Sequence, residues 1–225
     1  MKQRIKIDGT IMFSAIILTA ILCFSTYLYP KDILIDDLCD FFGLLLILKG
    51  TYLRMAARGY KKEFSKKGQD LVMSGPYSLT RNPMYLGTFF IGAGFVLIVW
   101  PWWFLAIFSI LFFVRFNAQM VKEEEYLLKI FGEKYEKYCR QVPRFFPSLK
   151  ASFNIKMSQV FPWDMCWSTK ERLGLLGWPI LALFLEIFQE WVVYNIVDVG
   201  RAVYVFSIAI VLFAAALIVR YKFSK

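Results

Sequence analysis

Two short tracts hold the side chains whose types and spacing could do chemistry. The first is Gly75-Pro76-Tyr77-Ser78-Leu79-Thr80-Arg81-Asn82-Pro83-Met84-Tyr85-Leu86-Gly87. Glycine and proline at its start enforce a turn, and Asn82 is biased away from the α region by Pro83, which suits the first turn of a helix. A helix start of this kind leaves backbone N–H groups unpaired and carries partial positive charge, so it can hold a carboxylate or another polar group. The second tract is Glu123-Glu124-Glu125 with the following Phe131-Gly132-Glu133-Lys134-Tyr135-Glu136-Lys137-Tyr138. Arg115, Gln119 and Glu123 recur every fourth residue and share one helix face, which Leu127, Leu128 and Phe131 continue as an apolar stripe. An acidic helix face therefore looks back toward a constrained polar loop. The chain contains no histidine, which excludes a Ser-His-Asp triad, a His-Cys pair and H-E-x-x-H zinc chemistry. Acid–base work falls to carboxylates, tyrosine, lysine or water.

The elements that must position these tracts read as membrane helices. Apolar residues make up 58% of the chain and aromatic residues 19%, with a mean hydropathy of +0.51, above what a soluble domain carries. Ile11 to Tyr29 has no charged residue, about the length that crosses a ~30 Å hydrocarbon core. Its apolar run is too long for a signal peptide's, so it is read as a retained span. The stretch between Arg81 and Arg115 is also uncharged. As one helix it would run about 50 Å, too tall for a bilayer. Trp100-Pro101-Trp102-Trp103 stands at its middle, where proline breaks the helix and tryptophan favours the interface. The expected result is a short helical hairpin, spans three and four. Ile33 to Ala57, Leu173 to Trp191 and Ala202 to Val219 complete about six transmembrane helices.

Charge sets the expected orientation. Most of the 27 lysines and arginines fall in 1–10, 54–82, 115–172 and 220–225, so the positive-inside tendency puts both termini and both polar segments in the cytoplasm. The net charge of +10 is thus a topology signal, with the basic stretch Lys61 to Lys67 on an anionic leaflet. No soluble basic domain suggests nucleic acid as a partner. The four cysteines (Cys23, Cys39, Cys139 and Cys166) lack C-x-x-C spacing, and no structural disulfide is expected.

These residues together resemble a family. Leu71-Val72, Gly75-Pro76-Tyr77, Arg81-Asn82-Pro83, Tyr85-Leu86-Gly87, Glu123-Glu124, Phe131-Gly132, Tyr135, Tyr138 and Val142-Pro143-Arg144 are similar, in order, to the isoprenylcysteine carboxyl methyltransferase and phospholipid methyltransferase superfamily. The resemblance runs from about Gly50 to Pro147. It implies an all-α integral membrane enzyme with a cytoplasmic amphipathic helix, which binds S-adenosylmethionine and methylates a lipidic or hydrophobic acceptor without a metal. Carried over by position, Gly75, Pro76, Tyr77, Arg81, Asn82, Pro83, Tyr85, Glu123 and Glu124 would enclose the cofactor. Members acting on prenylated cysteine carboxylates commonly have histidine where Asn82 stands and arginine where Gln119 stands; Arg115 is the candidate substitute for the latter. An amine acceptor, as in phospholipid methylation, would need a base, for which Glu123 or Glu124 is the candidate. Two other readings are a membrane NADPH-dependent sterol-type reductase, against which the Glu-Glu helix argues, and a non-catalytic protein that keeps the fold. The expected organisation is a methyltransferase-like region over 1–150, a linker over 151–171 and a C-terminal helical hairpin over 172–225.

Overall fold

The computed structural model describes residues 33–65, 70–147, 160, 162–167, 169–195 and 198–222. The expected first span, Ile11 to Tyr29, Cys23 and most of the expected linker lie outside these residues. Every regular element among the described residues is helical. In chain order they are α1 (Ile33–Phe64), a 3₁₀ turn (Gly75–Ser78), α2 (Pro83–Val99), α3 (Phe104–Phe131), α4 (Glu133–Gln141), α5 (Trp163–Trp167), a second 3₁₀ turn (Lys170–Leu173), α6 (Gly174–Tyr194) and α7 (Val199–Lys222).

α1 is the central element of the bundle, with α2, α6 and α7 packed against it. Asp36 in its first turn and Lys61 and Lys62 in its last complement the helix dipole. Leu44, Ile47, Met55, Ala56 and Ala57 are fully buried along it. α2 lies antiparallel against it at very close range. A methyl group added at Gly50 would sit 2.5 Å from the Gly87 carbonyl oxygen, and one at Gly87 would sit 2.7 Å from that of Gly50. Small residues let helix backbones approach in this way, which gains dispersion contact where lipid supplies no hydrophobic drive between helices. The acidic and basic residues of α1 keep it outside the set of helices long and apolar enough to cross a membrane. Among the described residues that set is Phe104–Phe131, Lys170–Tyr194 and Val199–Val219, with Pro83–Val99 as a shorter apolar helix.

The hairpin expected around Trp100 is present. α2 ends at Val99, and Phe104 opens α3 with its N–H bonded to the Pro101 carbonyl at 2.9 Å. Its second arm is not short, however. α3 continues unbroken through Glu123, Glu124 and Glu125 to Phe131, so the acidic tract extends the apolar arm instead of forming a helix of its own. Nothing in that sequence stops a helix before Gly132, whose φ of +48° is open to glycine at little cost. There the chain turns into α4, which buries Tyr135 and Tyr138 and exposes most of its charged residues.

Two apolar clusters hold the bundle. One joins Tyr52, Met55 and Ala56 of α1 to Leu86, Phe89, Phe112, Phe145 and Cys166. The other joins Leu44, Ile47 and Leu48 to Ile98, Val99, Ala182, Phe206 and Ala209, docking α6 and α7 on α1. Phe89 is the hub of the first, with ring centroids 5.2 Å from Phe112, 5.7 Å from Phe108 and 5.9 Å from Phe145. Such pairs contribute about 0.5–1.5 kcal/mol each beyond their buried area. Phe145 also meets Phe113 edge-on at 4.9 Å. This anchors the segment after α4 beside the α2–α3 hairpin.

Candidate functional site

The 3₁₀ turn begins at Gly75, whose φ is +63° and whose α-carbon faces the Tyr60 ring so closely that a methyl group there would overlap it at 2.4 Å. Only glycine fits both the left-handed backbone and the ring. The Pro76 carbonyl accepts the N–H groups of Leu79 and Thr80, at 3.2 and 3.4 Å, and Ser78 Oγ donates to the Gly75 carbonyl at 2.7 Å. From α4, Tyr138 donates its hydroxyl proton to the Tyr77 carbonyl at 2.7 Å. Arg81 N–H bonds the Pro143 carbonyl at 2.9 Å. The loop is therefore held from within and from the far side of the acidic helix.

Pro83 starts α2, and the loop's polar side chains converge on the Glu-Glu pair. Asn82 donates through Nδ2 to Glu124 Oε1 at 3.2 Å and to the Arg144 carbonyl at 3.0 Å. Arg81 Nη1 lies 3.5 Å from the same carboxylate oxygen and 2.8 Å from Cys139 Sγ. Arg144 Nε lies 3.2 Å from Glu124 Oε2, close enough to pair but too poorly aligned for a hydrogen bond, while its Nη1 donates to Asn117 Oδ1 at 3.1 Å. Next to this group, Tyr85 donates to Glu123 Oε1 at 2.7 Å, and Gln119 donates to the same oxygen at 2.8 Å. The sequence-expected residues Gly75, Pro76, Tyr77, Arg81, Asn82, Pro83, Tyr85, Glu123 and Glu124 thus gather at one end of the bundle. Arg115 lies further back on the same helix. It stands about 12 Å along α3 from Glu123 and stacks on the Phe116 ring at 5.5 Å.

Arg144, Asn117, Tyr135, Tyr138 and Cys139 join the site although they are not among the expected cofactor residues. Arg144 belonged to the ordered run that carries the resemblance, and that was the available signal. Asn117 and Cys139 have none in sequence.

Electrostatics keep the charged and neutral partners distinct. Burial is the largest influence and works against the Arg81 charge, but Glu124, Cys139 and Tyr135 together outweigh it and hold the guanidinium's pKa above its ordinary value. Burial raises the Tyr77 phenol, with the Glu123 charge adding to it. Burial likewise raises Tyr135, with Cys139 and Glu124 contributing, and Tyr138. These three phenols stay protonated and serve as donors or aromatic faces. Between α3 and α4 an open groove of about 390 Å³ is lined by Arg81, Glu124, Leu128, Tyr135 and Cys139 among others, at the small end of ligand-site volumes.

A bundle of this kind, with three helices among the described residues long and apolar enough to cross a membrane, is of the membrane-protein class. Residues 38–134 match the family model described as phospholipid methyltransferase. The chain is 33% identical over 106 residues to a protein-S-isoprenylcysteine O-methyltransferase of Schizosaccharomyces pombe, covering 44% of this chain and 45% of that protein. It is 34% identical over 117 residues to the protein of the same name from Saccharomyces cerevisiae, covering 48% and 49%. A nickel-cobalt-cadmium resistance protein, NccN of Alcaligenes xylosoxydans xylosoxydans, is 31% identical over 107 residues, covering 48% and 49%. The matches span about half the length of these curated relatives. No solved structure matches. Together the family match and the two yeast relatives support the isoprenylcysteine carboxyl methyltransferase and phospholipid methyltransferase superfamily.

Proposed function

We propose that this chain is a membrane methyltransferase that uses S-adenosylmethionine and methylates a lipid-borne acceptor, the carboxylate of a prenylated-cysteine-like group or the amine of a phospholipid. The observation that carries the reading is the convergence on Glu124 of Asn82 and Arg81, inside the family-matched region, and of Arg144, just beyond it. The residues present suit the cofactor. Arg81 Nε and Arg144 Nη2 are buried N–H groups with no acceptor, which an amino-acid carboxylate would satisfy. The Glu124 carboxylate and the Tyr135 face, both on the groove, suit a cationic centre.

When bound, the cofactor supplies an electrophilic methyl group on a sulfonium. The chain's own task is to align and to exclude water. Glu124, braced by two guanidiniums and an amide, is a fixed acceptor for polar groups of a ligand. Glu123, already accepting from Tyr85 and Gln119, keeps a second carboxylate oxygen for the proton that an amine acceptor would release. For a carboxylate acceptor no proton needs to leave, and the same oxygen only orients. In the six-span topology this end of the bundle, with its lysines and arginines, faces the cytoplasm.

Calorimetry on the detergent-solubilised full chain with S-adenosylmethionine, its demethylated product and NADPH tests the reading. Binding of the first two and not the third is expected; binding of NADPH alone would replace the methyltransferase with a reductase. Incubation of membranes with methyl-labelled cofactor then identifies the acceptor by whether the labelled lipid is an ester or an amine.

A further inference from the structure

At the other end of α1, about 36 Å along the helix from Tyr60, a second polar group is buried among apolar helices. Asp36 and Asp40 lie one turn apart on α1, and Glu186, Gln189 and Glu190 lie on one face of α6. Glu186 is fully buried, and Asp40, Gln189 and Glu190 are each 2% exposed. One guanidinium serves this group. Arg201 of α7 pairs with Asp36 Oδ2 at 3.3 Å, with Asp37 Oδ1 at 3.6 Å and with Glu190 Oε1. Among the described residues no cation pairs with Glu186 or Asp40, whose carboxyl groups face each other.

Among the described residues, four oxygens there have no donor: Glu186 Oε1 and Oε2, Asp40 Oδ1 and Gln189 Oε1. Buried carboxylates without compensation are costly, as are orphaned acceptors. A single proton shared between Asp40 and Glu186 supplies one donor and leaves other acceptors unpaired. A cation can satisfy several oxygens at once. Ligand atoms of Asp36, Glu186 and Glu190 already lie within 4.8 Å of one another, a spacing that one ion can span.

We infer that Asp36, Glu186 and Glu190, with Asp40 and Gln189 adjoining, form a binding site for a hard divalent cation of the magnesium, calcium or manganese type. An all-oxygen set of carboxylates and an amide carbonyl suits these ions and not the softer ones that prefer sulfur or imidazole. The position of the site gives it a role. It joins α1, most of which lies inside the family-matched region, to α6, outside it, so the ion acts as a cross-link that fixes the C-terminal helix pair on the methyltransferase-like region. It lies apart from the Asn82–Glu124 group and does not depend on the reading given to that group.

The test is titration of Mn²⁺ into the chelator-treated full chain in detergent, with bound ion followed by loss of the free-ion paramagnetic resonance signal. Thermal unfolding is measured alongside. One Mn²⁺ per chain is expected, displaced by Mg²⁺ or Ca²⁺, and accompanied by a higher unfolding temperature. Glu186→Gln should weaken Mn²⁺ uptake by roughly tenfold or more and abolish the thermal shift. Asp40→Asn is the second variant, should the first not fold. Uptake equal in wild type and variants would assign the ion to surface carboxylates and overturn the inference. Absence of uptake by the folded wild type, with Glu186→Gln more stable than wild type, would overturn it in favour of a shared proton.

Discussion

Asn82 donates from its side-chain amide to Glu124 Oε1 at 3.2 Å, although 42 residues and a complete helical hairpin separate the two in sequence. The amide also reaches the Arg144 carbonyl, so it ties together the loop before α2, the acidic turn of α3 and the segment after α4. An amide suits this place because it donates to two acceptors and carries no charge beside the Arg81 and Arg144 guanidiniums. Asn82→Asp replaces donation by carboxylate–carboxylate repulsion. It should therefore weaken S-adenosylmethionine binding more than Asn82→Ala does, in side-by-side calorimetry. Equal losses would mean that the amide only fills space.

Glu124→Gln removes the charge that Arg81 and Arg144 share. The carboxylate is partly exposed, at 19% of its side chain, so solvent screens part of the effect. A stability loss of about 1–2 kcal/mol is expected, below the cost of breaking a fully buried pair. The loss in cofactor affinity should exceed this, because two guanidiniums are then free to move. Thermal unfolding and calorimetry on the same preparation separate the two effects.

Much of this site was legible before the fold, and the reasons are local. Gly-Pro and Asn-Pro constrain their own backbone, and Pro83 marks the helix start where α2 begins. Tryptophans around Pro101 announced the turn between α2 and α3. What could not be read was the length of α3, since an uncharged arm followed by a charged one looks like two elements when no backbone signal divides them. Arg144 was visible as a residue of the pattern but not as a partner of Glu124. Its place depends on Phe145 seating in the Phe89 and Phe113 cluster, a contact that no spacing rule gives. The buried Asp36, Asp40, Glu186 and Glu190 were hidden for a similar reason. Acids near one helix start and two glutamates in an apolar run belong to distant parts of the chain, and only packing brings them together.

Tyr85 and Glu123 offer a pairwise measurement. Their 2.7 Å hydrogen bond is solvent-accessible, so a double-mutant cycle of Tyr85→Phe and Glu123→Gln should give a coupling of about 0.5–1.5 kcal/mol in stability. Each single variant should also weaken cofactor binding while leaving helical circular dichroism unchanged. Wild-type affinity in both would remove this pair from the cofactor site and leave Glu124 as its acidic group.

Gly75→Ala tests the turn. The substitution meets both a left-handed backbone and the Tyr60 ring, at 2.4 Å from the added methyl group. The backbone alone costs about 1–2 kcal/mol, and overlap adds to it. A loss of about 2–4 kcal/mol is expected in thermal or detergent unfolding. Gly177→Ala in α6, where nothing lies within 4 Å of an added methyl, should be neutral or slightly stabilising. Similar losses at both positions would show that the assay reports helix content rather than the turn.

Alkaline pH should unfold this end of the protein through its phenols. Burial raises Tyr77, Tyr135 and Tyr138 above the ordinary tyrosine value, which is about 10 in the unfolded chain. Below that pH both states keep their protons, and the stability these groups lend is fully present. Above it the unfolded chain ionises first while the folded phenols stay neutral, so stability falls as pH rises, until the folded groups titrate in turn. Each phenol contributes a slope of at most about 1.4 kcal/mol per pH unit. Tyr138→Phe removes one of them, together with its hydrogen bond to the Tyr77 carbonyl. The variant should be about 1 kcal/mol less stable near neutrality yet show a shallower decline from about pH 9 to pH 11. Unfolding temperatures across that range, measured on both proteins, decide the matter. Parallel declines would mean that Tyr138 titrates normally and that its burial does not govern the alkaline limit.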